Sequence, residues 1–194
     1  MPERIHLPPD KSAARRLIRE RRRHRAEATS LDARVRHAED VRDHLAPVLD
    51  RLPTGAVVTS FVSRPSEVPT EVLNATVRSR GLDLILPVVL ADLDLDWSRH
   101  EDGSEPLGIE AVRTASLLIL PALAVAENGL RLGQGGGCYD RVMPRVPASV
   151  PRIALVHDDE FTATVPVENH DLPVDAVVTA SVGLCTFATW PWPP

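Results

Sequence analysis

The sequence is poor in cysteine, with two residues in 194, and a chain of this length can bury a core without covalent staples. A structural disulfide is therefore neither required nor expected of Cys138 and Cys185. It lacks any apolar run approaching the roughly 18 residues that a membrane-spanning helix needs, and charges stand near the N-terminus where a secretory signal carries an apolar core. Together these absences predict a cytoplasmic protein with no membrane partner. No Gly-Lys-Ser/Thr follows its glycines, which excludes a Walker A loop, and the pattern is a poor dinucleotide fingerprint. His157 and His170 have no paired spacing with cysteine, so a zinc site is not expected.

What is present fits one globular α/β domain over 1–194, with 1–10 and 188–194 as tails. Apolar residues make up 43% and charged residues 25% of the chain, an ordinary globular balance. The net charge of −5 argues against nucleic acid as the main partner, but the basic residues crowd the front at Lys11, Arg15, Arg16, Arg19, Arg21, Arg22, Arg23 and Arg25. Such a run is ordinarily a solvated helix face. An RNA-binding role for that helix is disfavoured by the net acidity and by the lack of an aromatic platform nearby.

Lys11 to about Ala28 contains no proline or glycine and begins behind a plausible N-cap, Asp10, so a long helix is predicted. Leu31, Val35, Ala38, Val41 and Leu45 recur at spacings of three and four, which predicts a second, amphipathic helix packed on the body of the domain. Short strands are predicted at Ala56–Val62, Leu82–Val89, Ser116–Leu120, Arg152–His157 and Ala176–Thr179, with a helix between Thr70 and Arg80 that stops at Gly81. Strands alternating with helices imply a largely parallel sheet covered on both faces. Asp92 to Gly108 reads as a loop or edge hairpin over the site, a further helix is possible from Asp140, and Trp190-Pro191-Trp192-Pro193-Pro194 reads as a surface tail.

The most informative stretch is Arg131-Leu132-Gly133-Gln134-Gly135-Gly136-Gly137-Cys138-Tyr139-Asp140-Arg141. Four glycines remove side chains from a turn, so that backbone N–H groups can close on a phosphate, and Arg131 and Arg141 can add charge-assisted bonds. This order resembles the 5-formyltetrahydrofolate cyclo-ligases, also called methenyltetrahydrofolate synthetases. The resemblance extends over nearly the whole chain: Lys11 and Arg15 one helical turn apart, Glu67-Val68-Pro69-Thr70 after the first strand, Leu86-Pro87, Glu105-Pro106, Leu120-Pro121-Ala122-Leu123-Ala124, and His170-Asp171 before a terminal strand. It departs at Cys138, where the family usually has tyrosine, and at Ala122, where it usually has glycine.

The resemblance implies a three-layer α/β/α fold with a largely parallel sheet, like the NagB/RpiA/CoA-transferase group. It also implies ATP- and Mg²⁺-dependent conversion of 5-formyltetrahydrofolate, with or without a polyglutamate tail, to 5,10-methenyltetrahydrofolate, by a monomer or weak homodimer. By the same resemblance, Lys11, Arg15, Arg131, Gly133, Gln134, Gly135, Gly136, Gly137, Cys138 and Tyr139 would contact ATP. Lys11, Arg131 and Tyr139 would act in the chemistry, Val62, Glu67 and Tyr139 would hold the folate, and Asp140 and Asp171 would ligate the metal. The alternative left open is a family relative that binds nucleotide or phosphate as a regulatory protein without folate chemistry.

Overall fold

The computed structural model describes residues 4–168 and 171–192. Its first helix, α1 (Lys11–Ala28), starts where Asp10 accepts a hydrogen bond from the Ala13 N–H, and the second, α2 (Leu31–Leu49), starts where Ser30 does the same for Ala33. Each cap satisfies an N–H that has no partner inside its helix. The expected apolar stripe of α2 is only partly used. Ala38, Val41, Leu45, Val48 and Leu49 are buried, whereas Leu31 is 76% and Val35 45% exposed.

The chain then enters β1 (Val57–Thr59), crosses through α3 (Glu71–Ser79) to β2 (Asp83–Val89), and turns back into β3 (Leu95–Ser98). Gly81, with φ at +70°, supplies the left-handed residue that ends α3, as its sequence position suggests. A 3₁₀ helix at Ile109–Thr114 leads to β4 (Ala115–Pro121), and β5 (Ala124–Ala126) and β6 (Arg131–Leu132) flank the approach to the glycine loop. After α4 (Cys138–Val142) come β7 (Arg152–Leu155), a 3₁₀ helix at Asp158–Glu160, β8 (Phe161–Thr162), β9 (Ala176–Thr179) and β10 (Gly183–Thr186).

Seven strands form one sheet in the order β10-β9-β7-β4-β1-β2-β3. The five central strands are parallel, and β10 and β3 are antiparallel edges. Helices α2 and α3 cover one face, where Val41, Leu45, Leu73 and Val77 meet Val58, Leu84, Leu117, Ile119 and Ile153. Short elements cover the other face: Val112, Val142, Met143 and Val146 pack with Ile85, Leu118, Leu120, Ala154 and the fully buried Trp97 of β3. The layered α/β architecture therefore agrees with expectation, but its second helical layer is built from short turns and α4.

A second, three-stranded sheet, β6-β5-β8, has no counterpart among the expected strands. It is the platform for α1, whose Ala14 and Ile18 pack with Leu123, Ala124, Ala126 and Leu132. The basic face of α1 is not simply solvated. Arg22 is 3% exposed and makes two hydrogen bonds to the fully buried Glu160, at 2.8 and 2.7 Å, and a third to the Ala122 carbonyl. Arg21 and Arg25 pair with Asp159; Arg16 and Arg23 remain exposed.

The terminal segments are also attached. The Ile5 N–H donates to the Asp159 carbonyl, Leu7 packs beside α1's apolar cluster, and Trp190 and Trp192, in an edge-to-face pair, pack against the α2–α3 side of the core. A buried ion pair is costly to break by halves, because the remaining charge stays desolvated. Glu160→Ala is accordingly expected to lower unfolding stability by about 3 to 5 kcal/mol, and adding Arg22→Leu to recover part of the loss, both measured by urea unfolding.

Candidate active site

The parallel strands β1 and β4 lie side by side, and the chain leaves β1 toward β2 on one side and β4 toward β7 on the other. In open α/β sheets the crevice beyond the strand carboxyl ends at such a reversal is where ligands bind. A cleft of about 340 Å³ occupies this place. Phe61, Arg64 and Glu67 come from the loop after β1, Pro87 and Val89 from the end of β2, Leu95 from β3, and Pro121 from the end of β4. The glycine loop, Tyr139, Asp140, Glu168, Asp171 and the N-terminal turns of α1 complete it.

The glycine loop is fixed from outside by arginines. Arg15 Nε donates to the Gly133 carbonyl at 3.0 Å, Arg19 to the Gln134 carbonyl at 2.6 Å, and Arg141 to the Gly136 carbonyl at 2.8 Å. Gly135 and Gly137 have φ of +107° and +67°, and a Cβ at Gly135 would also stand 3.4 Å from the Arg15 guanidinium. Glycine is thus required at both positions by backbone conformation. Among the described residues, no N–H of Gly133 to Gly137 donates to a protein acceptor. The loop presents its carbonyls to arginines, and the described residues do not use its N–H groups, as the pattern of an anion nest requires.

Two cations of the cleft, Lys11 and Arg131, are themselves matched. Lys11 pairs with Asp171 at 2.8 Å and Glu168 at 3.2 Å. Burial works to lower its pKa, but the two carboxylates outweigh this and raise it. Arg131, almost fully buried, bonds Asp140 at 2.6 Å, while its Nε is buried without a partner. The Tyr139 hydroxyl is likewise buried and unpartnered; desolvation pushes its pKa up against the opposing charge of Arg131, and the field of Glu67 also reaches it. Glu67 is 8% exposed and accepts a bond from the Arg64 N–H at 2.9 Å, so acceptor capacity remains for a ligand.

The structure therefore brings Lys11, Arg15, Arg131, Gly133 to Gly137, Cys138, Tyr139, Asp140, Asp171 and Glu67 into one cleft. Val62 is not among its lining residues. The buried Phe61 lines the cleft, whereas Val62 is 50% exposed. Arg141, expected to add charge to phosphate oxygens, is engaged with its own loop. His170 lies outside the described residues. Arg19, Arg64 and Glu168 were not singled out by sequence, since their roles depend on contacts between distant segments.

Thr70 serves the structure of the loop after β1, because its hydroxyl donates to the Phe61 carbonyl at 2.6 Å, beside Asn74 at 3.0 Å. The Asp92–Gly108 stretch is an edge hairpin with turn residues beyond its strand. Leu93 approaches the glycine loop, and Arg145 grips Asp94 through two bonds of 2.7 and 2.6 Å.

A mostly parallel sheet with a glycine-loop cleft at its switch point, lined by four cations and four carboxylates, is the architecture of an α/β enzyme with its crevice beyond the strand ends. Residues 10–180 match the 5-formyltetrahydrofolate cyclo-ligase family, and the chain belongs to that family of ligases. A 5-formyltetrahydrofolate cyclo-ligase of Mycolicibacterium smegmatis is 33% identical over 149 residues, 68% of this chain and 77% of the relative. Two solved structures share the fold. One is a 5,10-methenyltetrahydrofolate synthetase from Mycoplasma pneumoniae, with a TM-score of 0.71 and 18% identity over 87% of this chain and 97% of that one. The other is a 5,10-methenyltetrahydrofolate synthetase from Aquifex aeolicus, at 0.67 and 22% over 90% and 93%.

Behind the Glu67 loop, His157 bonds the Ser66 carbonyl through Nε2 at 3.2 Å and packs edge-on against His37. Burial, aided by the charges of Arg25 and Arg22, pushes His157 down to about 3 from its ordinary 6.5. Between these values the unfolded chain binds a proton at His157 and the folded chain does not, so stability is full above pH 6.5 and falls with pH below it. His37, also lowered by burial, acts in the same direction. Urea midpoints measured from pH 7 down to pH 5 should decline, and His157→Gln should flatten that decline.

Proposed function

We propose that the chain catalyses the ATP- and Mg²⁺-dependent closure of 5-formyltetrahydrofolate to 5,10-methenyltetrahydrofolate, with release of ADP and phosphate. The observation that carries this reading is the presence, in one cleft, of a free N–H nest with flanking cations and a buried carboxylate on an apolar wall. The nest and Lys11, Arg15 and Arg131 suit a triphosphate. Glu67 suits the N–H groups of a pterin, with Phe61, Pro87 and Leu95 offering a surface for flat rings.

A formamide oxygen is a poor leaving group. Transfer of the γ-phosphoryl group to that oxygen converts it to an imidate-like phosphate ester, the neighbouring folate N–H nitrogen attacks the carbon and releases its proton to solvent, and the C–O bond breaks as phosphate departs. Such a reaction asks the protein for alignment and charge stabilisation rather than a covalent nucleophile. Lys11 and Arg131 would neutralise charge on the phosphoryl oxygens. Tyr139, whose high pKa keeps it protonated, would donate its unpartnered hydroxyl to the reacting substrate. Pro121 and the Leu93 turn would restrict water.

Asp140 and Asp171 both line the cleft, ion-paired with Arg131 and Lys11, and would be the carboxylates of a magnesium site completed by phosphate oxygens and water. When bound, the ion would supply positive charge that offsets the charge of the phosphates.

Purified protein given ATP, Mg²⁺ and 5-formyltetrahydrofolate should generate the near-ultraviolet absorbance of the methenyl product only when all three are present. A flat trace from folded protein that still binds ATP would instead favour a phosphate-binding regulatory relative. Asp140→Asn should slow turnover about a hundredfold while leaving the circular dichroism spectrum native; an unchanged rate would remove Asp140 from the metal site.

A further inference from the structure

Four cations line the cleft: Lys11, Arg15, Arg64 and Arg131. Three have protein partners, Lys11 in the carboxylates of Asp171 and Glu168, Arg15 in the Gly133 carbonyl, and Arg131 in Asp140. Arg64 differs. Its backbone N–H caps Glu67, but among the described residues its guanidinium has no hydrogen-bond or ion-pair partner, and the side chain is exposed at the cleft.

The base from which this side chain extends is unusually well fastened for a loop. Arg34 donates to the Pro65 carbonyl at 2.9 Å and to the Ser63 hydroxyl at 3.2 Å, His157 bonds the Ser66 carbonyl, and Thr70 holds the Phe61 carbonyl. His157 is kept neutral by burial, and because its acceptor is a carbonyl, Nε2 must be the protonated nitrogen. A charged group projecting from a fixed backbone loses less freedom when it takes a ligand than one on a mobile loop.

We infer that Arg64 is a specificity residue that receives a carboxylate from the glutamate end of the folate. This inference rests on the cyclo-ligase reading proposed above. Folate joins a flat hydrogen-bonding pterin, an aromatic p-aminobenzoyl ring and a glutamate whose carboxylates are ionised at neutral pH. The loop after β1 and its neighbouring strands supply a matching set: Glu67 as acceptor, Phe61, Pro87, Val89 and Leu95 as apolar wall, and Arg64 as cation. The triphosphate has its own receptors on another part of the chain, the glycine loop between β6 and α4. A planar guanidinium also suits a carboxylate, because it can donate two parallel bonds.

The test compares wild type, Arg64→Gln and Arg64→Glu with two substrates. One is 5-formyltetrahydrofolate; the other is the carboxamide of 5-formyltetrahydropteroate, which keeps both ring systems and carries no carboxylate. With the glutamyl substrate, KM should rise about fivefold in Arg64→Gln, the range of a solvent-exposed ion pair, and further in Arg64→Glu, with kcat and the KM for ATP unchanged. With the carboxamide, the three proteins should share one KM.

Equal KM values for the glutamyl substrate in all three proteins would overturn the assignment. So would a KM for ATP that rises in the variants, which would make Arg64 a phosphate ligand. A carboxamide KM that rises as much as the glutamyl KM would also overturn it, by showing a role in loop structure. Wild-type protein that turns over neither substrate would instead remove the cyclo-ligase reading on which the assignment rests, an outcome distinct from the other three.

Discussion

The position of α1 depends on charge more than on apolar burial. Only Ala14 and Ile18 are buried apolar residues among its 18, too few to seat a helix that carries so many arginines. The buried pair of Arg22 and Glu160 supplies what packing does not. Taking both ions from water is expensive, and the bidentate geometry, the additional bond to Ala122 and the bond from the His157 N–H to Glu160 offset that expense. Once Arg22 is seated, one helical face is set: Arg15 and Arg19 fall on the glycine loop, Lys11 on Asp171, and Arg25 on Asp159.

The consequences extend from the helix into the cleft. Arginine contacts to three loop carbonyls define which way the peptide planes of Gly133 to Gly137 face, and so convert a flexible glycine run into a set of N–H donors. On the other wall, Glu160 stands in the same short 3₁₀ helix that His157 caps, and His157 contacts the loop bearing Glu67. One buried ionic centre thereby borders both the glycine-loop side and the Glu67 side of the cleft. Charge-bearing side chains used in this way give geometric definition to a site whose main chain would otherwise be free to move.

Much of this architecture was legible in the sequence because it follows from local rules. Asp10 and Gly81 mark helix ends, the apolar runs at Leu117–Leu120 and Ala176–Thr179 mark buried strands, and the glycine loop, which lines the cleft, stands out through a demanding order of residues. The parts that were not legible are those defined by distant partners. Strands β5, β6 and β8 contain two or three residues each, too short for any periodicity to register. Arg22 and Glu160 are 138 residues apart, and nothing in the arginine run separates the member that will be buried from those that will be solvated. Leu31 shows the opposite error, an apolar residue in a plausible helical pattern that the fold leaves exposed.

The proposed division of the cleft puts phosphates on the nest formed by Gly133 to Gly137 and the folate against Glu67. A crystal structure with a non-hydrolysable ATP analogue and 5-formyltetrahydrofolate bound together would show both halves at once. Phosphate oxygens should lie on the loop's N–H groups and on Lys11 and Arg15, with the pterin against Glu67 and the formyl oxygen directed at the terminal phosphate. Phosphates bound elsewhere, or a pterin remote from Glu67, would contradict that division.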